Sequence, residues 1–352
     1  MNLFYKEPKK KKEEKPMKAI LAITLLAAAG AIIYTQLSAP KPQDISELWS
    51  SWKNQHAKAY ASATEDAMRK DVFEQNYNKI QAHNADPEAS YTMALNKFAD
   101  MTAEEFKEYM RCSQVPKVDG VQDSECPTAV NCPTLAKTNQ TSWDWTKHGA
   151  VTAVKNQGQC GSCWTFGATG GLEGRYYLDN KVLLSFSEQY IVDCDHDNAD
   201  GCSGGFSSYA MEWVAKKGII LEKLYPYHGR DERCKIPKNA TLYKVNKGIE
   251  CVTQKDADQM RASVVIQPTT LAVEADESAW QFYSNGIVKS GCGAELDHNV
   301  LLVGFDDTEG YWKVKNSWGA DWGEAGYIRI AIGSENNGYG LCGVLRCGTR
   351  AV

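Results

Sequence analysis

Two cysteines stand two residues apart in NQGQCGSCWTFGATGGLEG, residues 156–174. Such a pair can be a redox couple, half of a zinc site, or a disulfide half beside a reactive thiol. A thioredoxin-type couple follows a strand and usually has tryptophan before its first cysteine; here Trp164 follows the second. A zinc site needs a second Cys/His pair at ligand spacing, and the nearest cysteines, Cys194 and Cys202, are separated by seven residues. A nucleophilic thiol must be activated, because a free one ionises near pH ~8.5. Cys163 opens the run WTFGATGGLEGRYYL, and if that run is helical the thiol lies at its N-terminus, where free N–H groups and the dipole favour negative charge.

A base and its orienter must then be found elsewhere. Of six histidines, two lie in an N-terminal helical segment, and His148, His196 and His228 sit in polar, loop-like settings. His298 precedes the apolar run NVLLVGF and can be held rigidly. Asn316, in KNSWGADWG, can orient it, with Trp318 available to shield the bond. Gln157, six residues before Cys163, can donate its side-chain amide to a developing oxyanion.

The elements that position these residues can be sketched from periodicity. Over residues 44–110, Ile45, Leu48, Trp49 and Trp52 recur at helical spacing, and a second helix is predicted from Glu65 to Asn84, ended by Asp86-Pro87. TMALNKFAD alternates as a short strand would, and Thr102-Ala-Glu-Glu105 reads as a capping box. Residues 111–138 have no period and read as an extended linker open to proteolysis. Beyond about residue 139, tryptophan, tyrosine, glycine and cysteine dominate and β-like runs such as 310–332 appear.

Composition bounds the partners. The chain has 352 residues, 43% apolar and 24% charged, with net charge −5, so it carries no nucleic-acid footprint. Residues 1–39 hold seven lysines against three glutamates, and the remainder holds 32 basic against 41 acidic residues. The uncharged run 19–34 is short for a spanning helix, which needs roughly 20 apolar residues. It suits a signal-peptide core beginning at Met17-Lys18 and cleaved between Ala31 and Ala39, so membrane contact is transient. The EPKKKKEEKP stretch upstream is either a misassigned start or a cytoplasmic tail. Twelve dispersed cysteines fit the secretory pathway, and Asn139 and Asn239 begin glycosylation sequons.

With these residues in place, the chain resembles the papain-family cysteine proteases of the cathepsin L type. That family shows Cys-Gly-[Ser/Ala]-Cys-[Trp/Tyr], with its His and Asn roughly 130–150 residues downstream. Here His298 lies 135 and Asn316 153 residues after Cys163. The resemblance covers residues 44–352. Glu65, Arg69, Val72, Phe73, Asn76, Ile80 and Asn84 reproduce the helix signature of cathepsin L-like propeptides. Asn96, Phe98 and Asp100 resemble the second propeptide motif, although Ala94 stands where glycine is usual.

The resemblance implies an α+β, papain-like two-domain fold, a helical left and a β-barrel-like right domain, behind a helical inhibitory prodomain. Residues 1–39 would be tail and signal, 40–138 propeptide and linker, and 139–352 the peptidase domain. It assigns Cys163 as nucleophile, His298 as base and acid, Asn316 as orienter, and Gln157 with the Cys163 N–H as oxyanion hole. Trp318 would shield the site, and Gly204 and Gly205 would bind extended substrate. Phe206, Ala272, Leu296, Asn299 and Cys347 would line a second specificity pocket that takes a hydrophobic side chain. Implied disulfides join Cys160 to Cys202, Cys194 to Cys234 and Cys292 to Cys342. Cys347 either stands free in the pocket or pairs with Cys251, the second being preferred. Cys112, Cys126 and Cys132 remain in the prodomain and linker; with Cys163 free, an odd number is left, so at least one lacks an intramolecular partner.

The implied protein is a monomeric zymogen of an endopeptidase, active in acid, in a lysosome or digestive vacuole or secreted. Its partners are protein or peptide substrates and its own propeptide, and no metal or organic cofactor is implied. The alternative is a non-catalytic binding or inhibitory protein on the same scaffold.

Overall fold

A computed structural model describes residues 44–110, 132–197 and 199–352. The lysine-rich start, the apolar run 19–34, Cys112, Cys126 and residues 111–131 of the expected linker lie outside the described residues. Among the described residues no helix is long and apolar enough to cross a membrane. Residues up to Lys58 form one unit and those from Ala59 a second. The first contains helix α1 (Ile45–Gln55), capped by the Asp44 carboxylate, with Trp49 and Trp52 stacked at 5.2 Å.

The second unit opens with helix α2 (Ala63–Ala85), strand β1 (Tyr91–Met93) and helix α3 (Ala103–Tyr109). Six of the seven α2 signature residues have a clear physical task. Arg69 Nη1 donates to the Glu105 carboxylate at 2.6 Å and to Asp100 O at 3.1 Å, and Asn76 Nδ2 donates to Ala99 O and Met101 O, both at 2.9 Å. Asn84 exchanges two bonds with the Met93 backbone. Glu65 accepts from Ala61 N at 2.9 Å, while Phe73 and Ile80 are buried. Thr102 and Glu105 form the expected capping box. TMALNKFAD is a strand only as far as Met93. Beyond it the Asn96 side chain accepts from Phe98 N at 2.9 Å and Ala99 N donates to Asn96 O at 3.0 Å, so local turn bonds replace a ladder.

After the linker come β2 (Ser142–Asp144), α4 (Cys163–Asn180), α5 (Glu188–Cys194), α6 (Ser207–Lys217), β3 (Ile249–Cys251), α7 (Ala257–Ile266), β4 (Thr269–Val273) and α8 (Ser278–Gln281). Strands β5 (Tyr283–Val288), β6 (His298–Asp306), β7 (Tyr311–Lys315), β8 (Tyr327–Ala331) and β9 (Cys347–Ala351) complete the chain. The strands run β1-β5-β8-β7-β6-β4-β9-β3, with β2 added to β6. β5 and β8 pair in parallel and the other pairs are antiparallel. Strand β1 of the N-terminal segment extends this sheet, with Tyr91 opposite Gly286.

Two large apolar cores form among the described residues. One fills the sheet region with Trp280, Phe282, Leu302, Trp312 and Ile330; the other joins Trp164, Leu172, Ile191, Met211 and Val214 of the helical region. β6 is buried on both faces over His298–Phe305, which explains its nearly continuous apolar run. α4 lies close against it: a Cβ added at Gly170 would stand 2.9 Å from Leu301.

The three implied disulfides are present. The fourth corrects an expectation, because Cys251 is bonded to Cys132 and not to Cys347. β3 does lie beside β9, but Cys251 stands opposite Thr349, whereas Cys347 stands opposite Ala272 of β4. A diagonal pair in such a ladder is about 7–8 Å apart, beyond ordinary disulfide reach. Cys347 is itself disulfide-bonded and does not stand free. Among the described residues Cys163 is the one cysteine outside a disulfide, while two further cysteines of the odd-count expectation, Cys112 and Cys126, lie outside the described residues. Asn139 and Asn239 are both exposed.

Candidate active site

Cys163 is the first residue of α4, and its thiol is buried. Helices α1, α2, α3, α5 and α7 each begin under a side-chain cap. α4 does not: Ser162 occupies the cap position without capping, and its hydroxyl is 2.6 Å from that of Tyr227. The first N–H groups of α4 therefore remain without a side-chain cap, beside the sulfur, where they favour negative charge. Cys163 Sγ accepts from Asn299 N at 3.4 Å and Asn299 Nδ2 at 3.7 Å.

His298 begins β6, opposite Val273 of β4, and is fully buried. Its Nε2 lies 2.8 Å from Asn316 Oδ1, which also accepts from Ser317 N at 2.8 Å. The Ser317 N–H identifies that atom as the amide oxygen, so His298 Nε2 must be the donor. Nδ1 is thereby left as the basic nitrogen. It is buried and makes no hydrogen bond among the described residues. The Trp318 ring stacks on the imidazole at 5.0 Å, and Trp280 meets it edge-on at 6.1 Å.

Gln157, 1% exposed, is clamped from the same segment. Its Oε1 accepts from Ser317 Oγ at 2.6 Å, its backbone N donates to Ser317 O at 2.8 Å, and its Nε2 donates to Cys160 O at 3.2 Å. Residues 316–318 thus tie Asn316, Gln157 and the Trp318 ring to one short stretch of backbone. Ser317 was not singled out by the sequence reading, and its position inside KNSWG is the signal that could have found it.

The expected pocket residues assemble by register. Asn299 of β6 lies opposite Ala272 of β4, and Ala272 opposite Cys347 of β9, so the three form one row across the sheet. Leu296 packs against Ala272 and Cys347. Phe206 sits apart from that cluster, at the start of α6, with its ring against Tyr209 at 6.1 Å. Ser207 links the two sides, its Oγ lying 3.1 Å from Asn299 Oδ1. Gly204 has φ +128°, which a side chain disfavours. Gly205 lies so close to Trp164 that a Cβ would stand 2.8 Å from the indole.

A charged cluster that the sequence did not announce lies behind Asn299 and Asn316. Lys155 Nζ reaches Glu188 at 2.7 Å and Glu173 at 3.1 Å, and Lys315 Nζ donates to Thr152 Oγ1 at 3.1 Å. Burial raises the Glu188 carboxyl, and burial pushes Lys315 down to about 8. These groups line a cavity of about 20 Å³, room for roughly one water.

Residues 96–109 of the N-terminal segment cover this region. Phe98 and Phe106 meet the Trp318 ring edge-on at 5.5 and 5.8 Å. Lys97 donates to Trp318 O, and the Tyr109 hydroxyl donates to Gly158 O. Asn96 Nδ2 donates to Gln281 O at 2.6 Å. Lys107 pairs with Asp276 at 2.5 Å.

Residues 139–349 match the family described as papain family cysteine protease, and residues 49–106 match the cathepsin propeptide inhibitor domain. The chain is 37% identical to a cathepsin L-like peptidase of Aedes aegypti, covering 93% of this chain and 97% of that protein. It is 37% identical to rat (Rattus norvegicus) procathepsin L, covering 90% and 96%. The solved structure of digestive procathepsin L2 from Tenebrio molitor larval midgut superposes with a TM-score of 0.78 at 32% identity, covering 88% of this chain and all of that one. The chain belongs to the papain family of cysteine proteases, as a cathepsin L-like peptidase carrying its own inhibitory propeptide.

Proposed function

We propose that Cys163, His298, Asn316 and Gln157 hydrolyse internal peptide bonds. The observation that carries this reading is the buried His298 held by Asn316 through Nε2, on the strand that also brings Asn299 onto the Cys163 sulfur. Orienting Nε2 leaves Nδ1 to take the thiol proton, and the uncapped α4 N-terminus favours the thiolate. The thiolate attacks the scissile carbonyl, and the Gln157 amide and Cys163 N–H receive the oxyanion. Imidazolium protonates the leaving amine as the C–N bond breaks, giving a thioester. Water, deprotonated by neutral His298, then releases the acid and frees the thiol. Trp318 and Trp280 keep bulk water from the ion pair.

Gly204 and Gly205 offer extended backbone to substrate, and the Asn299–Ala272–Cys347 row with Leu296 and Phe206 receives a hydrophobic side chain two residues before the cut. The enzyme works in acid as a monomer, in a lysosome or digestive vacuole or after secretion, with Asn139 and Asn239 glycosylated. The peptidase domain begins near residue 139, and residues 40–138 act as propeptide and linker.

The test is labelling of the zymogen with an active-site-directed epoxide after incubation at about pH 4.5–5.5, where carboxylates begin to protonate. A single adduct on Cys163, formed only after prodomain cleavage, is expected. Cys163→Ala and His298→Ala should each lower kcat by about 10⁵–10⁶-fold. A fully processed protein that takes no adduct and cleaves no peptide would instead be a binding protein on this scaffold.

A further inference from the structure

We propose that Asn299 is a third residue acting on the nucleophile: its backbone and side-chain amides together hold the Cys163 sulfur as a thiolate. This deepens the reading above and rests on it. Asn299 follows His298 on β6, so the base and this amide leave the strand on opposite faces. The His298 face carries Asn316 and Trp318; the Asn299 face meets α4 and α6. Asn299 is 2% exposed, and its two N–H groups stand 3.4 and 3.7 Å from Sγ.

The orientation of the side-chain amide has a physical basis. Asn299 Oδ1 is 3.1 Å from Ser207 Oγ, and Ser207 Oγ is 2.8 Å from Trp164 O. Ser207 shares its one proton between two oxygen acceptors, which keeps the Asn299 oxygen toward Ser207 and its NH₂ toward sulfur. The backbone N–H donates to sulfur whatever the side chain does. Two donors converging on a sulfur at an uncapped helix start favour its ionised form.

The charged surroundings do not compete for this task. His298 is the titratable group on the β6 side. Asp297 accepts from Ala275 N at 2.8 Å, and burial with the neighbouring Asp276 raises its carboxyl. On the α4 side Gly161, Ser162, Trp164 and Thr165 carry no charge. From the prodomain, Lys97 is engaged by Trp318 O on the far wall. Lys155, Glu173, Glu188 and Lys315 are bonded to one another or to Thr152 behind the row. His298 thus supplies the proton relay, while Asn299 supplies part of the thiolate's stability.

The experiment follows the rate of Cys163 alkylation by iodoacetamide against pH in the matured enzyme, with the adduct mapped by mass spectrometry. The wild type should follow a thiolate pKa well below the free value of about 8.5. Asn299→Ala should raise it by about one pH unit, slowing alkylation about tenfold on the acidic limb while leaving the alkaline plateau unchanged. Ser207→Ala, which frees the amide to rotate, should move it the same way by less, and it carries the test if Asn299→Ala does not mature. An unchanged pKa in both variants overturns the inference. So does a lowered one, because the amide would then be holding the neutral thiol through its oxygen. A wild-type Cys163 with an ordinary thiol pKa would instead sink the reading of Cys163 as nucleophile, a result read before either variant is compared.

Discussion

Among the described residues the prodomain holds one perturbed carboxyl, lowered by an ion pair, whereas the peptidase domain holds carboxyls perturbed in both directions. In the prodomain, the Arg69 guanidinium hydrogen-bonded to Glu105 holds that carboxyl below its ordinary value. In the peptidase domain, burial pushes Asp195 up to about 6 and raises Asp297 and Glu188 as well. A lowered carboxyl contributes stability above its unfolded pKa and loses it as pH falls through the folded value. A raised carboxyl costs stability while ionised, and that cost fades as pH falls through the raised value. Acid therefore weakens the Arg69–Glu105 contact while it relieves Asp195, Asp297 and Glu188. The division is not complete. Asp144 is lowered by Thr146 and Lys313 against the opposing effect of burial, Asp258 is lowered by Lys137, and Glu232 is lowered by His228 and Arg230. Lys315, pushed down to about 8 by burial, adds a cost as it charges below that pH. Acid thus removes a prodomain contact, while its effects on the peptidase domain run in both directions.

Attachment differs as well. Residues 60–110 are held by hydrogen bonds, aromatic edges and a three-residue strand. Residues 132–138 are tied by the Cys132–Cys251 disulfide, by paired bonds between Leu135 and Gln259 at 2.7 and 3.0 Å, and by Lys137 on Asp258 at 2.8 Å. A cut between residues 133 and 138 would leave the peptide ending there joined to the enzyme. The largest expected effect follows: in non-reducing mass spectrometry of processed wild type, all material keeps the segment carrying residue 132 attached, and Cys132→Ser loses that segment entirely whenever the cut falls after it. Loss of Cys132 from processed wild type without reductant would break the comparison.

A smaller effect is expected at the aromatic contact. Phe98 is 1% exposed against Trp318, Phe106 and Tyr109, and Phe98→Ala should weaken prodomain docking by about 3–5 kcal/mol. Zymogen conversion, followed by peptide hydrolysis, should then proceed near neutral pH and more than about a hundredfold faster. The smallest concerns the ion pair. Glu105's side chain is 40% exposed, so Arg69→Ala should cost only about 1 kcal/mol after solvent screening. The pH midpoint of conversion should move upward, because the contact that acid would have weakened is already gone. A midpoint that moves down, or conversion that stays as slow as wild type at every pH, would argue that acid acts elsewhere.

Much of this molecule is written locally. The capping box at Thr102, the α2 stripe and the β6 run are short-range patterns, fixed by helical and strand periodicity. Cys163, His298, Asn316 and Gln157 could be picked out as candidates because the proposed chemistry needs those residue types and local context narrows each choice. Other features depend on which strand edges meet. Asn299, Ala272 and Cys347 come from three separate strands and form a row only through register. The same register placed Cys251 opposite Thr349 and left it to Cys132. The missing cap on α4 could not be foreseen, because serine is a good capping residue and only Tyr227, far along the chain, draws its hydroxyl away. The candidate reacting groups and the helices and strands that carry them could be read from the chain alone, since they follow from side-chain chemistry, motif spacing and local periodicity. Tertiary structure decided the partners of each group, Asn299 on the thiol, Ser317 on Gln157 and Lys155 among buried carboxylates, since a hydrogen bond or ion pair is chosen by what burial leaves within reach.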